Sequence, residues 1–426
     1  MAILITCLSI VLTYFSPSDV VPSLSPYHVQ LLIMLFGLAV SVASFSHRPK
    51  RGLQSPQYLL ILGLWGAVVL SQITKLKIRW GWEGFYVFGA VVAAYFLLQI
   101  NVFTLARIKI IGALLIFCGV IMGAQAAFAY HTGYLGDKLL LFPPNELEAL
   151  LGGNRVRGYG ILHDPNDFAQ FLLVCVAFLG LFWKRQHVAR NLLLLGPPAA
   201  ILTYACYLTF SRGALMGIGA LIFAAVYRRH RRGLSFALVM IVVPLLYGAR
   251  FTGNREIAID NTTAGRLIAW GAGVSATLRH PVFGVGFGRF TDINDLTAHN
   301  SFVLCFTELG FFGFFFWLAL IFISLLGLQA VTNIEVKTTE DQDYLGAVYA
   351  LRAAFFTFLT TGWFLSRTYT ETLYILLALA ASLIELRGHA VPMEKLRVDW
   401  WAPRTIALEF LSLGAVFLMV KAKLFA

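Results

Sequence analysis

The chain has 426 residues, of which 59% are hydrophobic and 13% charged. Soluble domains carry nearly twice that charge, so a soluble globular protein is excluded, as are a disordered chain and a disulfide-stapled secreted domain. The net charge of +12 does not point to nucleic acid here, because in a chain this apolar it reads first as a topology signal and an attraction to anionic lipid.

Apolar runs recur from end to end, most of them long enough to cross a bilayer core as helices. They are predicted at 2–15, 28–46, 58–73, 84–100, 108–129, 166–183, 191–210, 213–227, 233–249, 300–328, 347–365 and 368–385, with a further stretch at 404–420. The expectation is an all-α integral membrane protein, one polytopic domain over 1–426 with twelve or thirteen transmembrane helices. Only helices satisfy their own backbone groups in lipid, and the runs are too long for barrel strands. Met1 to Phe15 lacks a basic leader and a small-residue cleavage site, so it reads as a first span. Cys7, Cys118, Cys175, Cys206 and Cys305 all lie inside apolar segments without a CxxC pair and read as small hydrophobes.

Basic clusters fix the expected orientation. Arg48, Lys50 and Arg51; Lys184, Arg185 and Arg190; Arg228, Arg229, Arg231 and Arg232; and Arg387, Lys395, Arg397 and Arg404 are separated by even numbers of spans, so all can face the cytoplasm. Lys75, Lys77 and Arg79 then fall outside, against the rule. Two long polar loops also face away from the cytoplasm, a first periplasmic loop at 130–165 and a larger one at 250–299. Chemistry is expected at that outer face. There is no internal repeat of the kind that builds many transporters.

Four segments carry the candidate chemistry. In Arg157-Gly158-Tyr159-Gly160-Ile161-Leu162-His163-Asp164-Pro165-Asn166-Asp167, Asp164 caps a helix and Pro165 opens it, leaving Arg157 and His163 to face a pocket. In Phe210-Ser211-Arg212-Gly213, two apolar runs meet with no polar loop, which predicts a tight hairpin with Arg212 at the outer surface. Arg212 there is either a snorkelling interfacial side chain or a ligand-binding one.

The loop 250–299 contains a predicted amphipathic helix over 263–279, capped by Thr262 or Thr263 and ended by His280-Pro281. Leu267, Gly271, Val274 and Leu278 form its apolar stripe, and Arg266, Trp270, Gly273 and Thr277 lie on another face. The Gly284-Val285-Gly286-Phe287-Gly288 run that follows could bring backbone N–H groups to a phosphate, and Arg289 closes it. In Ala298-His299-Asn300-Ser301 a long span begins, with Asn300 or Ser301 as its cap. Glu308, nine residues beyond His299 and at bilayer depth, needs a partner. Arg352 and Arg367 are further buried-cation candidates. No HExxH, P-loop, acidic cluster or metal-ligand spacing is present in the sequence, so a metal-free and cofactor-free reaction is expected.

Together these segments resemble the O-antigen ligase and O-antigen polymerase superfamily of bacterial polytopic glycosyltransferases. The resemblance rests on the order of RGYGILHDPNDFAQ at 157–170, FSRGA at 210–214, AGRLIAWGAG at 264–273 followed by HPVFGVGFGRF at 280–290, and HNSFVLCFTELGFFG at 299–313. It implies a GT-C-like fold in the bacterial inner membrane with the active site facing the periplasm. It implies a donor glycan on undecaprenyl diphosphate and an acceptor hydroxyl on a glycan, lipid A core or other molecule, with membrane lipids as surroundings and no nucleic acid. By position, Arg212 and Arg266 bind the diphosphate, with Arg157 beside them, and His299 stands at the reacting centre.

Elementary chemistry agrees with that assignment. Arginine forks neutralise a diphosphate leaving group without a divalent metal, and neutral imidazole can take a proton from a weakly nucleophilic hydroxyl. His299 is therefore the expected base in an inverting displacement, oriented by Glu308 or by an outer-loop acid; its alternative role is to hydrogen-bond the diphosphate. Trp270, Arg289 and His163 are weaker candidates for sugar or lipid contacts; Trp270 reads equally as an interfacial anchor. Two rivals remain from the sequence. One is a flippase for the lipid-linked glycan. The other is the peptidoglycan polymerase group, which would depend on an outer-loop aspartate such as Asp260, Asp292 or Asp295.

Overall fold

The computed structural model describes residues 1–27, 29–43, 56–134, 139–142, 154–227, 259–387 and 397–424. The expected span 233–249, the basic clusters at 48–51 and 228–232, and Arg250, Arg255 and Glu256 lie outside the described residues. The protein is a polytopic, all-α membrane protein, with one two-residue hairpin pairing Leu141–Phe142 (β1) with Arg155–Val156 (β2). Among the described residues eight helices are long and apolar enough to cross a membrane, and shorter apolar helices cover Val29–Ala43, Gln57–Ile73 and Arg212–Val226. The stretch expected at 404–420 is one of the eight, within Val398–Ala422.

The chain folds into two compact units. The first comprises Met1–Gly37, Asn101–Ala258 and Glu335–Thr361. It contains α1 (Ala2–Phe15), the beginning of α2 (Val29–Ala43), α5 (Leu105–Thr132), α6 (Pro165–Leu179), α7 (Val188–Leu208), α8 (Arg212–Tyr227) and most of α11 (Thr339–Gly362). Small residues let its helices approach closely, as expected where lipid removes the hydrophobic drive between helices. A methyl group on Gly119 of α5 would meet Cys175 of α6 at 2.9 Å and Leu202 of α7 at 3.0 Å. Among the five cysteines Cys118, Cys175, Cys206 and Cys305 are buried, and all five are free thiols.

The second unit comprises Leu38–Ile100, Ile259–Ile334 and Gly362–Ala426. It holds α3 (Gln57–Ile73), α4 (Ile78–Asn101), α9 (Ile259–Arg279), α10 (Ser301–Ala330), α12 (Glu371–Leu386) and α13 (Val398–Leu424). At its centre α10 packs against α3, α9, α12 and α13. Two expectations are corrected here. α9 starts at Ile259, so Thr262 and Thr263 lie inside the helix and do not cap it.

The span expected at 300–328 is not one continuous helix. It breaks at Gly310, whose φ of 61° and ψ of −168° are open essentially to glycine alone. The break frees backbone groups at bilayer depth, and the loop after α9 satisfies them. Val285 and Gly286 donate their N–H groups to the carbonyls of Thr307 and Glu308 at 2.8 and 2.9 Å. Phe311 and Phe312 donate to the carbonyls of Pro281 and Val282 at 2.8 and 3.1 Å. Irregular backbone is tolerated there because each freed group finds a partner within the protein.

Candidate active site

In the first unit the predicted helix start is formed as expected. The Asp164 carboxylate accepts the Asn166 N–H at 2.7 Å, and Pro165 occupies the first turn of α6. The hairpin between α7 and α8 is tight, with Phe210 at φ 47° and Arg212 as the first residue of α8. Ser211 is buried, and its hydroxyl has no hydrogen-bond partner among the described residues.

A residue the sequence reading passed over holds this turn. Arg155, 5% exposed, donates its Nε to the Thr209 carbonyl at 2.8 Å and its Nη2 to Asn166 Oδ1 at 3.2 Å. It thereby ties the entry to Ser211-Arg212 to the first turn of α6. The signal was available two positions before Arg157, in an arginine sharing that residue's strand face.

Arg157 and His163 are engaged locally. Arg157 donates its backbone N–H to the Leu140 carbonyl at 2.9 Å and its Nε to the Leu139 carbonyl at 3.2 Å. His163 Nε2 lies 3.0 Å from Asp19 Oδ2, which also accepts the Gly160 N–H at 2.7 Å. Asp19 was not foreseen, because nothing in its own neighbourhood marks it.

In the second unit the residues around His299 converge from three segments. His299 has φ 46°, a left-handed conformation that is costly for a residue with a Cβ. Its N–H donates to Ser366 Oγ at 2.9 Å, and the Thr297 hydroxyl lies 2.9 Å from the same oxygen. Asn300 caps α10 by accepting the N–H groups of Phe302 and Val303 at 2.9 and 3.1 Å. Ser301 donates to the Leu365 carbonyl at 2.6 Å and accepts the Arg367 N–H at 2.9 Å. The Thr368 hydroxyl donates to the Ser301 carbonyl at 2.7 Å. His299 as a whole is half-buried.

α9 lies along the first half of α10 in the same direction. A methyl group on Gly273 would meet Thr307 at 2.7 Å and Val303 at 3.0 Å. Trp270 is buried, stands edge-on to Trp363, and donates its indole N–H to the Ala298 carbonyl at 2.8 Å. Trp270 thus tethers α9 to the residue preceding His299. Arg266 stands one turn before Trp270 on the same helix face, half-buried. Of the expected apolar stripe α9 buries only Val274, with Leu267 and Gly271 half-buried. Leu278 is exposed, while Ala269, Trp270, Gly273, Val274, Ala276 and Thr277 face the protein.

Glu308 does not meet His299. Its Oε1 accepts the Phe290 N–H at 3.1 Å, and the Arg289 N–H donates to the Gly286 carbonyl at 3.1 Å. The glycine-rich run thus binds the broken helix and its acid, in place of the phosphate suggested by the sequence. Arg289 lies over the Trp80 ring, its Cζ 3.3 Å from the centroid.

Residues 197–318 match the O-antigen ligase family. Within the matched residues fall the Phe210–Arg212 hairpin, Arg266, Trp270, Arg289, His299 and Glu308; Arg157 and His163 precede them. No curated protein matches the chain.

Proposed function

We propose that the protein transfers a glycan from an undecaprenyl-diphosphate carrier to an acceptor hydroxyl at the periplasmic face of the bacterial inner membrane. The reaction is metal-independent and inverting, and the acceptor is lipid A core or a carrier-linked glycan. His299 takes the proton from the acceptor hydroxyl as that oxygen attacks the anomeric carbon. The bond from that carbon to the diphosphate breaks, and the electron pair leaves with the phosphate oxygen. Arg212 and Arg266, with Arg157, supply positive charge to the departing diphosphate. Glu308, Trp270 and Arg155 are positioning residues.

The observation that carries the reading is the way His299 is held. A histidine is kept in a costly backbone conformation at the start of α10 by Ser366 beneath it and by Trp270 on the helix that bears Arg266. Strain maintained by this many partners is a mark of a working site. The nearby start of α10 also favours negative charge such as phosphate.

The test is reconstitution of the full chain in proteoliposomes with undecaprenyl-diphosphate-linked glycan, an acceptor glycolipid and a chelator. The expected result is a new glycosidic bond with inverted anomeric configuration and release of undecaprenyl diphosphate. Movement of the donor across the bilayer with no new bond would replace this reading with the flippase.

A further inference from the structure

The α3–α4 turn and the end of α9 gather positive charge that the proposed transfer reaction does not use. The turn is pinned to the loop after α9: Gln72 Nε2 donates to the Phe287 carbonyl at 2.6 Å, and the Phe287 N–H donates to Ser71 Oγ at 3.0 Å. Lys77 Nζ and Arg289 Cζ both lie over the Trp80 ring, 3.7 and 3.3 Å from its centroid. Lys75 lies two residues before Lys77, Arg279 directly precedes His280, and the charges of Lys75 and Arg279 both act on the His280 imidazole.

Apart from the Trp80 ring faces, the cluster has no counter-charge among the described residues. Burial and then the charges of Lys75 and Arg279 hold the His280 imidazole below its ordinary 6.5. Burial and then the Lys77 charge hold the Lys75 amine below its ordinary 10.5. Among the described residues none of Lys75, Lys77, Arg79, Arg279 and Arg289 is paired with a carboxylate, and neighbouring Glu83 and Asp292 form no ion pair. Like charges held together without a counter-charge are a standing cost, which a bound anion removes.

Position in the fold names the kind of anion. α4 is a candidate membrane span that begins at Ile78, so Lys75 and Lys77 sit where a span meets the headgroup layer. Around the cations the side chains are apolar and open: Leu76 is 90% exposed, Ile78 74%, and Trp82 and Leu278 66% each. Trp at a span end with lysine and arginine beside it suits the bilayer interface. Free phosphate would need no such apolar rim. An anionic lipid needs both, its phosphate on the cations and its chains on Leu76, Ile78 and Leu278.

We propose that Lys75, Lys77, Arg279 and Arg289, arranged about Trp80, bind the phosphate headgroup of an anionic membrane lipid. The site also accounts for why Lys75, Lys77 and Arg79 defy the positive-inside pattern: they answer to a ligand in the leaflet they face. It stands independently of the glycosyl-transfer reading.

The experiment is native mass spectrometry of the purified full chain exchanged into equal amounts of phosphatidylglycerol and phosphatidylethanolamine. Phosphatidylglycerol should be retained preferentially, and each cation removed should cut that preference about fivefold. The Lys75→Gln/Lys77→Gln/Arg279→Gln protein should lose it, whereas Lys75→Arg/Lys77→Arg/Arg279→Lys should keep it. If the neutral triple variant does not fold, Lys77→Gln against Lys77→Arg makes the same comparison. Preference unchanged in the neutral variants overturns the proposal. So does displacement of the retained lipid by millimolar inorganic phosphate, which would make the cluster a free-anion site.

Discussion

Among the described residues, α8 and α10 both start from a turn in which a residue other than glycine adopts a left-handed conformation, and each of these two turns carries a candidate transfer-site residue. In the first unit Phe210 has φ 47° and the candidate, Arg212, follows two positions later as the first residue of α8. In the second unit the candidate is itself the strained residue, His299 at φ 46°, and Asn300 caps α10 after it. The cap residues differ too. Asn300 satisfies two N–H groups, whereas the Ser211 hydroxyl bonds none among the described residues. The first turn therefore depends on an outside hand, Arg155, and the second is built largely from its own cap and a neighbouring serine. In the proposed reaction a flexible arginine only has to reach a diphosphate and needs a firm base. An imidazole that must meet one hydroxyl needs its own backbone fixed.

That contrast can be broken at its supports. The largest stability effect should come from Arg155→Met, which leaves the buried Thr209 carbonyl and Asn166 without their donor. A loss of about 3 kcal/mol is expected in denaturant or thermal unfolding, with transfer activity reduced as the Arg212 turn loosens. Asn300→Ala should cost about 1–2 kcal/mol by removing the cap from two N–H groups, measured the same way. Ser366→Ala should cost about 1 kcal/mol, and its diagnostic effect is kinetic. Freeing the His299 N–H should lower kcat with little change in donor KM, because ground-state binding of the diphosphate does not use Ser366.

A fourth change tests a place outside both turns. Since burial, Lys75 and Arg279 keep His280 below 6.5, folding disfavours its protonated form. Its contribution is complete above pH 6.5 and fades as pH falls below that value, when the unfolded chain takes up the proton first. His280→Ala should therefore flatten the decline in melting temperature between pH 7 and 5. The effect is small, because the ring is exposed and salt screens it.

Much of this architecture is legible in the sequence for definable reasons. Asp164-Pro165 and Asn300-Ser301 are local signals, since a cap and its N–H groups lie within three residues. The Ser211-Arg212 hairpin follows from length alone, because two spans meet there without a loop. What escaped is long-range. Glu308-Leu309-Gly310-Phe311 reads as unbroken apolar helix, and its break is stabilised by Pro281 to Gly286, some 25 residues earlier. The glycine-rich run suggested a phosphate because its true partner, a severed helix, has no sequence signature. Trp270 was ambiguous because Ala298, which takes its N–H, offers only a backbone carbonyl. Arg155 stood just outside the segment on which attention fell, and burial is not visible in one strand residue.

The measurement that bears most directly on His299 uses glycine rather than alanine, since glycine accepts φ 46° without strain and should leave the fold intact. His299→Gly should melt within a few degrees of the wild-type protein yet transfer glycan about 10²–10⁴-fold more slowly in the reconstituted assay. A His299→Gly protein that turns over within about twofold of wild type would contradict the proposal that this imidazole takes the acceptor's proton.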